Sequence, residues 1–307
     1  MNRLHKVIIT IFGSCTLVAC GGLQVVKPAD FPAQLSGSTS ELSMERPSKA
    51  EVAPRAYEVS GRSVFVQQTG GSSLAVGLLL GAIVGGIANA VNTDRLTDLM
   101  GKSGAQSSLY TIDALTEAQT VWPAAKAASG DVSQIPGAVI VKPFVLLYQA
   151  DEKSGMSIVV SARVESSRLS SDEHLKSWVG IYSYLVNDTI PLTALQDHLS
   201  NEQLDQYRAS IRAGYSEIRS EMERDLNGGV PPKRQIAAVK SPALGAGVSP
   251  IMGIGLPGDI ERSPSGRLSL RVSGKNFGMS KPLFSYAVFI FPSPEQYTFS
   301  IGPVDRE

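Results

Sequence analysis

From residue 201 to 226 apolar side chains return at steps of three and four: Leu204, Tyr207, Ile211, Tyr215, Ile218, Met222 and Leu226. That period puts them on one stripe of an amphipathic helix. Ser200-Asn-Glu-Gln203 matches a capping box at its start, as does Thr193-Ala-Leu-Gln196 upstream, and Gly228-Gly229 with Pro231-Pro232 stops it. Asp205 with Arg208, Arg219 with Glu223, and Glu221 with Arg224 stand at helical spacing and read as surface pairs, each worth a few tenths of a kcal/mol.

Alternation of period two marks strands elsewhere. Tyr57–Val59 and Val64–Val66, broken at Gly61, read as a short strand pair. Residues 138–141 and 144–148 form a continuous apolar run, and Ile158, Val160, Ala162 and Val164 alternate after the Lys153-Ser154-Gly155 turn, so two antiparallel strands are expected, with a third at 178–186. Residues 94–99 and 109–128 read as helical, the latter capped by Ser107 or Ser108 and interrupted at Pro123. After a Pro- and Gly-rich loop over about 231–264 the chain turns strand-like again: Leu268, Leu270 and Val272 alternate with Arg and Ser, 284–291 is almost wholly apolar, and Tyr297, Phe299 and Ile301 alternate. The fold class expected is α+β, an antiparallel sheet packed with helices.

One further helix is expected over 74–91, LAVGLLLGAIVGGIANAV, within a charge-free interval from Ser63 to Thr93. Gly77, Gly81 and Gly85 recur every fourth residue, so another backbone can approach that face closely, in the manner of a glycine zipper. At about 1.5 Å per residue the segment makes roughly 27 Å of helix, just short of a hydrocarbon core of about 30 Å. Its apolar residues favour insertion while its glycines and Asn89 oppose it. A buried core helix is the first reading, a self-associating or membrane-dipping hairpin the second, and a full span the last.

The amino terminus is different in kind. Arg3 and Lys6 precede an apolar stretch from Val7 through Ala19, too short to span a bilayer, and Cys20 follows at once. This is the pattern of an excised export signal. Leu17-Val18-Ala19-Cys20 resembles the bacterial lipobox, whose cysteine is diacylated and becomes the new first residue. The resemblance implies an acylated Cys20 as anchor, since two or three chains hold stably where one is marginal. In lipoproteins of this kind an aspartate after the cysteine retains the product in the inner membrane; Gly21 and Gly22 stand here, which implies the outer membrane, facing the periplasm. Cys15 lies inside the signal, so no disulfide is expected in the mature chain. The domains expected are a signal at 1–19, the lipidated cysteine and a Pro-rich flexible tether over 20–56, a main α+β domain over 57–230, and a loop with a β-rich region over 231–307; the second reading of the tether is that part of it lies on the folded body as an ordered arm.

Composition mainly excludes. Lysine and arginine number 28 against 28 acids, so there is no basic field to hold nucleic acid. Gly253-Ile-Gly255-Leu-Pro-Gly258 satisfies G-x-G-x-x-G, but Pro250, Pro257 and Pro264 deny it the flanking strand and helix, and a flexible loop is expected. His174 beside Asp172 and Glu173, and His198 beside Asp197, read as surface or helix-capping groups in preference to zinc ligands or acid–base catalysts. No cofactor, metal or catalytic residue is expected. The order of lipobox, polar tether, glycine-rich segment, helix, paired strands and charged helix resembles a loose class of bacterial glycine-zipper lipoproteins, and implies a non-enzymatic envelope role with self-association through Gly77, Gly81 and Gly85. Alternatives are an oligomeric membrane-active protein that inserts 74–91, or a periplasmic hydrolase of unfamiliar pattern using His174 or His198.

Overall fold

The computed structural model describes residues 42–53, 56–68, 108–122, 126–127, 138–149, 155–169, 175–191, 199–227, 235–241, 256–273 and 284–300. Cys20, the 74–91 segment with Gly77, Gly81 and Gly85, the expected helix at 94–99, and His174 and His198 lie outside them.

The centre is a meander of three long strands, β5 (Val139–Gln149), β6 (Met156–Leu169) and β7 (Leu175–Ile190). Their β-branched and aromatic residues fit a sheet covered on both sides. Beyond β7 come β11 (Tyr286–Phe291), β10 (Leu268–Ser273), β9 (Leu256–Arg262), β8 (Gln235–Lys240) and β12 (Thr298–Ser300). On the other side β5 is shared. Its first part pairs with β1 (Leu42–Met44), which pairs in turn with β4 (Lys126–Ala127). Its later part pairs with β3 (Val64–Gln68), which carries β2 (Tyr57–Val59). The result is one twelve-stranded sheet with few helices, so the α+β class holds with the balance strongly toward sheet.

Several expectations need correction. The sheet is mixed: β1 and β3 run parallel to β5, and β11 runs parallel to β7. A tight hairpin forces antiparallel pairing, but long stretches of chain separate these partners, which leaves the direction open. Part of the expected tether is sheet. Leu42–Met44 pairs with β5, Leu42 opposite Val139, and the side chains of Val52 in the short helix α1 (Lys49–Val52) and of Ala53 and Ala56 after it are buried. A three-residue strand is too short to show a period. The expected loop over 231–264 contains β8 and β9. Gly258 lies in β9, where an added Cβ would meet the Arg271 carbonyl oxygen at 2.3 Å, so close strand approach accounts for this glycine. The carboxy-terminal strands also continue the central sheet, with Val288 opposite Tyr182.

Helix α2 (Ala114–Val121) replaces the longer helix expected over 109–128. A 3-10 turn at Ser108–Thr111 precedes it, and the cap is Asp113, whose side chain accepts from the Thr116 amide at 3.1 Å. Helix α3 (Asn201–Leu226) has the expected bounds. Ser200 Oγ accepts from the Gln203 amide at 3.2 Å, and Gln203 Oε1 accepts from the Ser200 amide at 3.0 Å.

Helices α2 and α3 lie on one face of the sheet, over Val64, Val145, Val160, Tyr182 and Val288. Tyr215, Ile218 and Met222 are fully buried there, and Ile218 and Met222 are each worth about 1.5–3 kcal/mol. The opposite face gathers Phe65, Phe144, Leu146, Leu270, Phe289 and Phe291 together with Val52 and Tyr297.

Candidate functional site

On the helix-bearing face one row of side chains crosses the sheet as Val64, Val145, Val160, Tyr184, Ile290, Ser269 and Glu261. The next row passes through Ala162, Tyr182, Val288, Arg271 and Asp259. Both turn polar on reaching β10 and β9. The last two turns of α3 cover that polar end. At 3.6 residues per turn Glu221 and Asp225 fall in phase with Ile218 and Met222, and they are 2% and 3% exposed.

A buried carboxylate is costly without partners, and here the partners come from β7, β10 and β11, from Arg267 just before β10, and from α3 itself. Glu221 receives the guanidinium groups of Arg224, Arg267 and Arg271 and, at 2.9 Å, the Ser269 hydroxyl. Arg271, only 1% exposed, also meets Glu261 at 3.2 Å and Asp225 at 3.5 Å. Arg224 reaches Glu261 at 2.9 Å, and Arg267 reaches Glu217 at 3.0 Å. Asp225 Oδ2 accepts from the Tyr286 hydroxyl at 2.7 Å and from Tyr182 at 3.3 Å. Trp178 lies beside Tyr286 with ring centres 5.9 Å apart. Burial pushes the Asp225 carboxyl up to about 7; the tyrosine hydrogen bonds and Arg224 resist this, and the charge of Glu221 adds to it. Burial followed by the charge of Asp225 raises both tyrosines well above their ordinary value, so they stay neutral donors.

Two other clusters fasten the periphery. Asp113 binds Arg46 at 2.6 Å and Arg62 at 3.6 Å, while Glu117 binds Arg212 at 2.6 Å and Arg208 at 3.6 Å, joining α2 to the amino-terminal segment and to α3. On the opposite face Lys142 of β5 meets Glu51 at 2.7 Å, Glu45 at 3.0 Å and Glu165 at 3.3 Å. Although burial opposes ionisation of Glu51, hydrogen bonds from Lys142 and Ser48 hold its carboxyl down at about 2. Its contribution is therefore full above about pH 4.5 and is lost as pH falls toward 2. Glu51→Gln should lower the urea midpoint at pH 6, and the variant and native midpoints should converge near pH 2. A gap that stays constant across that range would show that Glu51 does not act through its charge.

Chemically, the α3 cluster can hold a proton at Asp225 and bind α3 to β9 and β10. A depression of about 710 Å³ runs along the outer flank of α3, lined by Val121, Ser216, Arg219, Glu223 and Arg224 among others. Its arginines are engaged: Arg219 donates to the Val121 carbonyl at 2.7 Å and to Glu223 at 2.6 Å. Among the described residues there is no group of three or more metal-ligating side chains, and no helix is long and apolar enough to cross a membrane.

The surface reading of Glu221 with Arg224 is overturned, whereas Asp205 with Arg208 and Arg219 with Glu223 are surface pairs as expected. Two signals in the sequence pointed to the cluster: acids at 221 and 225 in phase with the apolar stripe, and Arg267, Ser269 and Arg271 spaced by two on one strand face. Comparison with protein-family models, with curated proteins and with solved structures gives no match.

Proposed function

We propose that the chain is a lipid-anchored bacterial envelope protein whose folded body has a non-catalytic structural or interaction role, attached through acylated Cys20 and facing the periplasm from the outer membrane. The observation that carries this reading is Leu17-Val18-Ala19-Cys20 at the end of an apolar stretch behind Arg3 and Lys6. Because β1 starts at Leu42, the folded body takes up the later part of the segment that the sequence offers as a tether. The charged clusters of the described body also support a structural role, since their side chains are spent on one another in fastening helices to the sheet. Gly77, Gly81 and Gly85 then supply a close helix contact, within the body or between copies.

Metabolic labelling with a tagged fatty acid, followed by membrane fractionation, tests the anchor. The native protein should carry label and sediment with membranes, and Cys20→Ser should lose the label and leave that fraction. An unlabelled native chain that keeps its initiator methionine would overturn the proposal. Cysteine-accessibility labelling across 74–91 addresses the membrane-active alternative, because lipid-shielded positions there would favour insertion over packing.

A further inference from the structure

Among the described residues the cluster under α3 is unbalanced in charge. Its contacts there join four carboxyl groups, those of Glu217, Glu221, Asp225 and Glu261, to three guanidiniums, those of Arg224, Arg267 and Arg271. Asp259 stands opposite Arg271 across the β9–β10 ladder. One proton removes this excess, and the geometry says where it belongs. Glu217 is 43% exposed and Glu261 24% exposed, so both reach water. Glu221 is met by three guanidiniums. Asp225, 1% exposed in its side chain, has one guanidinium at 3.5 Å and otherwise two phenol hydroxyls. Those hydroxyls donate to a carboxylate and accept from a carboxylic acid equally well, so the pocket accommodates both states of the group.

We propose that this cluster is a proton-operated latch, in which a proton on Asp225 keeps the last two turns of α3 seated on β9 and β10 and its release to solvent loosens them. The groups facing Asp225 are Glu221 and Arg224 from α3, Tyr182 from β7, Tyr286 from β11 and Arg271 from β10, with Glu261 and Asp259 behind Arg271. Only Arg271 and Arg224 among these favour the ionised form by charge, and both are also committed to Glu221 and Glu261. The sign follows from linkage. The folded state holds this proton more tightly than an unfolded aspartate near 3.8, so stability from this group is full below about pH 4 and falls as pH rises to about 7. Deprotonation leaves a second buried negative charge one helical turn from Glu221. The strain is local because only the end of α3 touches these groups, while Tyr207, Ile211 and Tyr215 are held by apolar contacts that do not titrate in this range.

Hydrogen exchange of the intact chain at pH 5.5 and 8.5, corrected for intrinsic rates, tests this. Amides of 221–227 should lose at least about tenfold in protection at the higher pH, with a smaller change over 207–218. Asp225→Asn, which mimics the neutral acid, should abolish the difference. Equal protection of 221–227 at both values in the native protein, or an unchanged response in Asp225→Asn, would overturn the latch. Should that variant not fold, carbon-13 titration of the Asp225 carboxyl in the native protein decides: a group already ionised at pH 5.5 overturns the proposal, and one protonated there supports it.

Discussion

Replacing Arg271 with methionine lowers the unfolding free energy by about 3–5 kcal/mol, the loss expected when one partner is removed from a buried ion pair. The cost is large because of what remains. Arg271 is 1% exposed and lies between Glu221, Asp225 and Glu261. Glu221 keeps Arg224 and Arg267, but these are 31% and 24% exposed and reach the cluster from its rim. Asp225 keeps no guanidinium contact at all among those described. Glu221→Met alone strands Arg271 less severely, since Glu261 and Asp225 still face it. The double variant, Arg271→Met with Glu221→Met, should recover much of the loss, because the most deeply buried opposite charges then vanish together while Arg224 and Arg267 turn to water. Urea denaturation of the four proteins gives the coupling energy directly. An Arg271→Met cost below about 1 kcal/mol would mean that the cluster is hydrated and is not a clasp.

The difference between what the sequence showed and what it hid follows the range of the interactions involved. Helix α3 was legible to its end residues because its determinants are local: a stripe of seven apolar side chains, the reciprocal Ser200–Gln203 cap and a Gly-Gly stop. The same holds for the β2–β3 pair and for the alternation of β6. Strand β1 was hidden because three residues carry no period, and what makes them a strand is the free length of β5 beside them. Asp113 outcompetes Ser107 and Ser108 as a cap because Arg46 and Arg62, more than 50 residues earlier in the chain, hold its carboxylate in place. The α3 cluster is the clearest case. Arg267 and Arg271 alternate with leucines as they would on a strand with one wet face, and only the placement of α3 across β10 turns that face inward. Glu221 likewise offered Arg224 at i+3, a local partner good enough to conceal the distant ones.

Gly214→Val should destabilise the protein by about 3 kcal/mol or more, against the ordinary preference of helices for almost any residue over glycine. Gly214 lies on the buried stripe of α3, where an added Cβ would stand 2.9 Å from Val160 Cβ and Cγ2 and 3.0 Å from Tyr184 Cδ1. Tyr184 is half-buried and can swing aside. Val160 cannot: it is β-branched, fully buried, and flanked across the ladders by Val145 and Tyr184. Helix propensity alone gives Gly214→Ala a gain of about 1 kcal/mol, and overpacking costs about 1–3 kcal/mol, so alanine should come out neutral to moderately destabilising and valine clearly worse. Val160→Ala should suppress the penalty, which a double-mutant cycle measures by thermal or urea unfolding. A rise in Tm for Gly214→Ala in the native background would show that α3 does not lie this close to β6. The consequence reaches the far end of the helix. Asp225 is about 16 Å along the axis from Gly214, and a rigid helix lifted at 214 carries Asp225 away from Tyr286 and Tyr182, whose hydroxyls stand at 2.7 and 3.3 Å. A folded Gly214→Val protein should therefore also lose the pH dependence of exchange at 221–227, since a carboxyl raised into water ionises at ordinary acidity and no longer needs its proton.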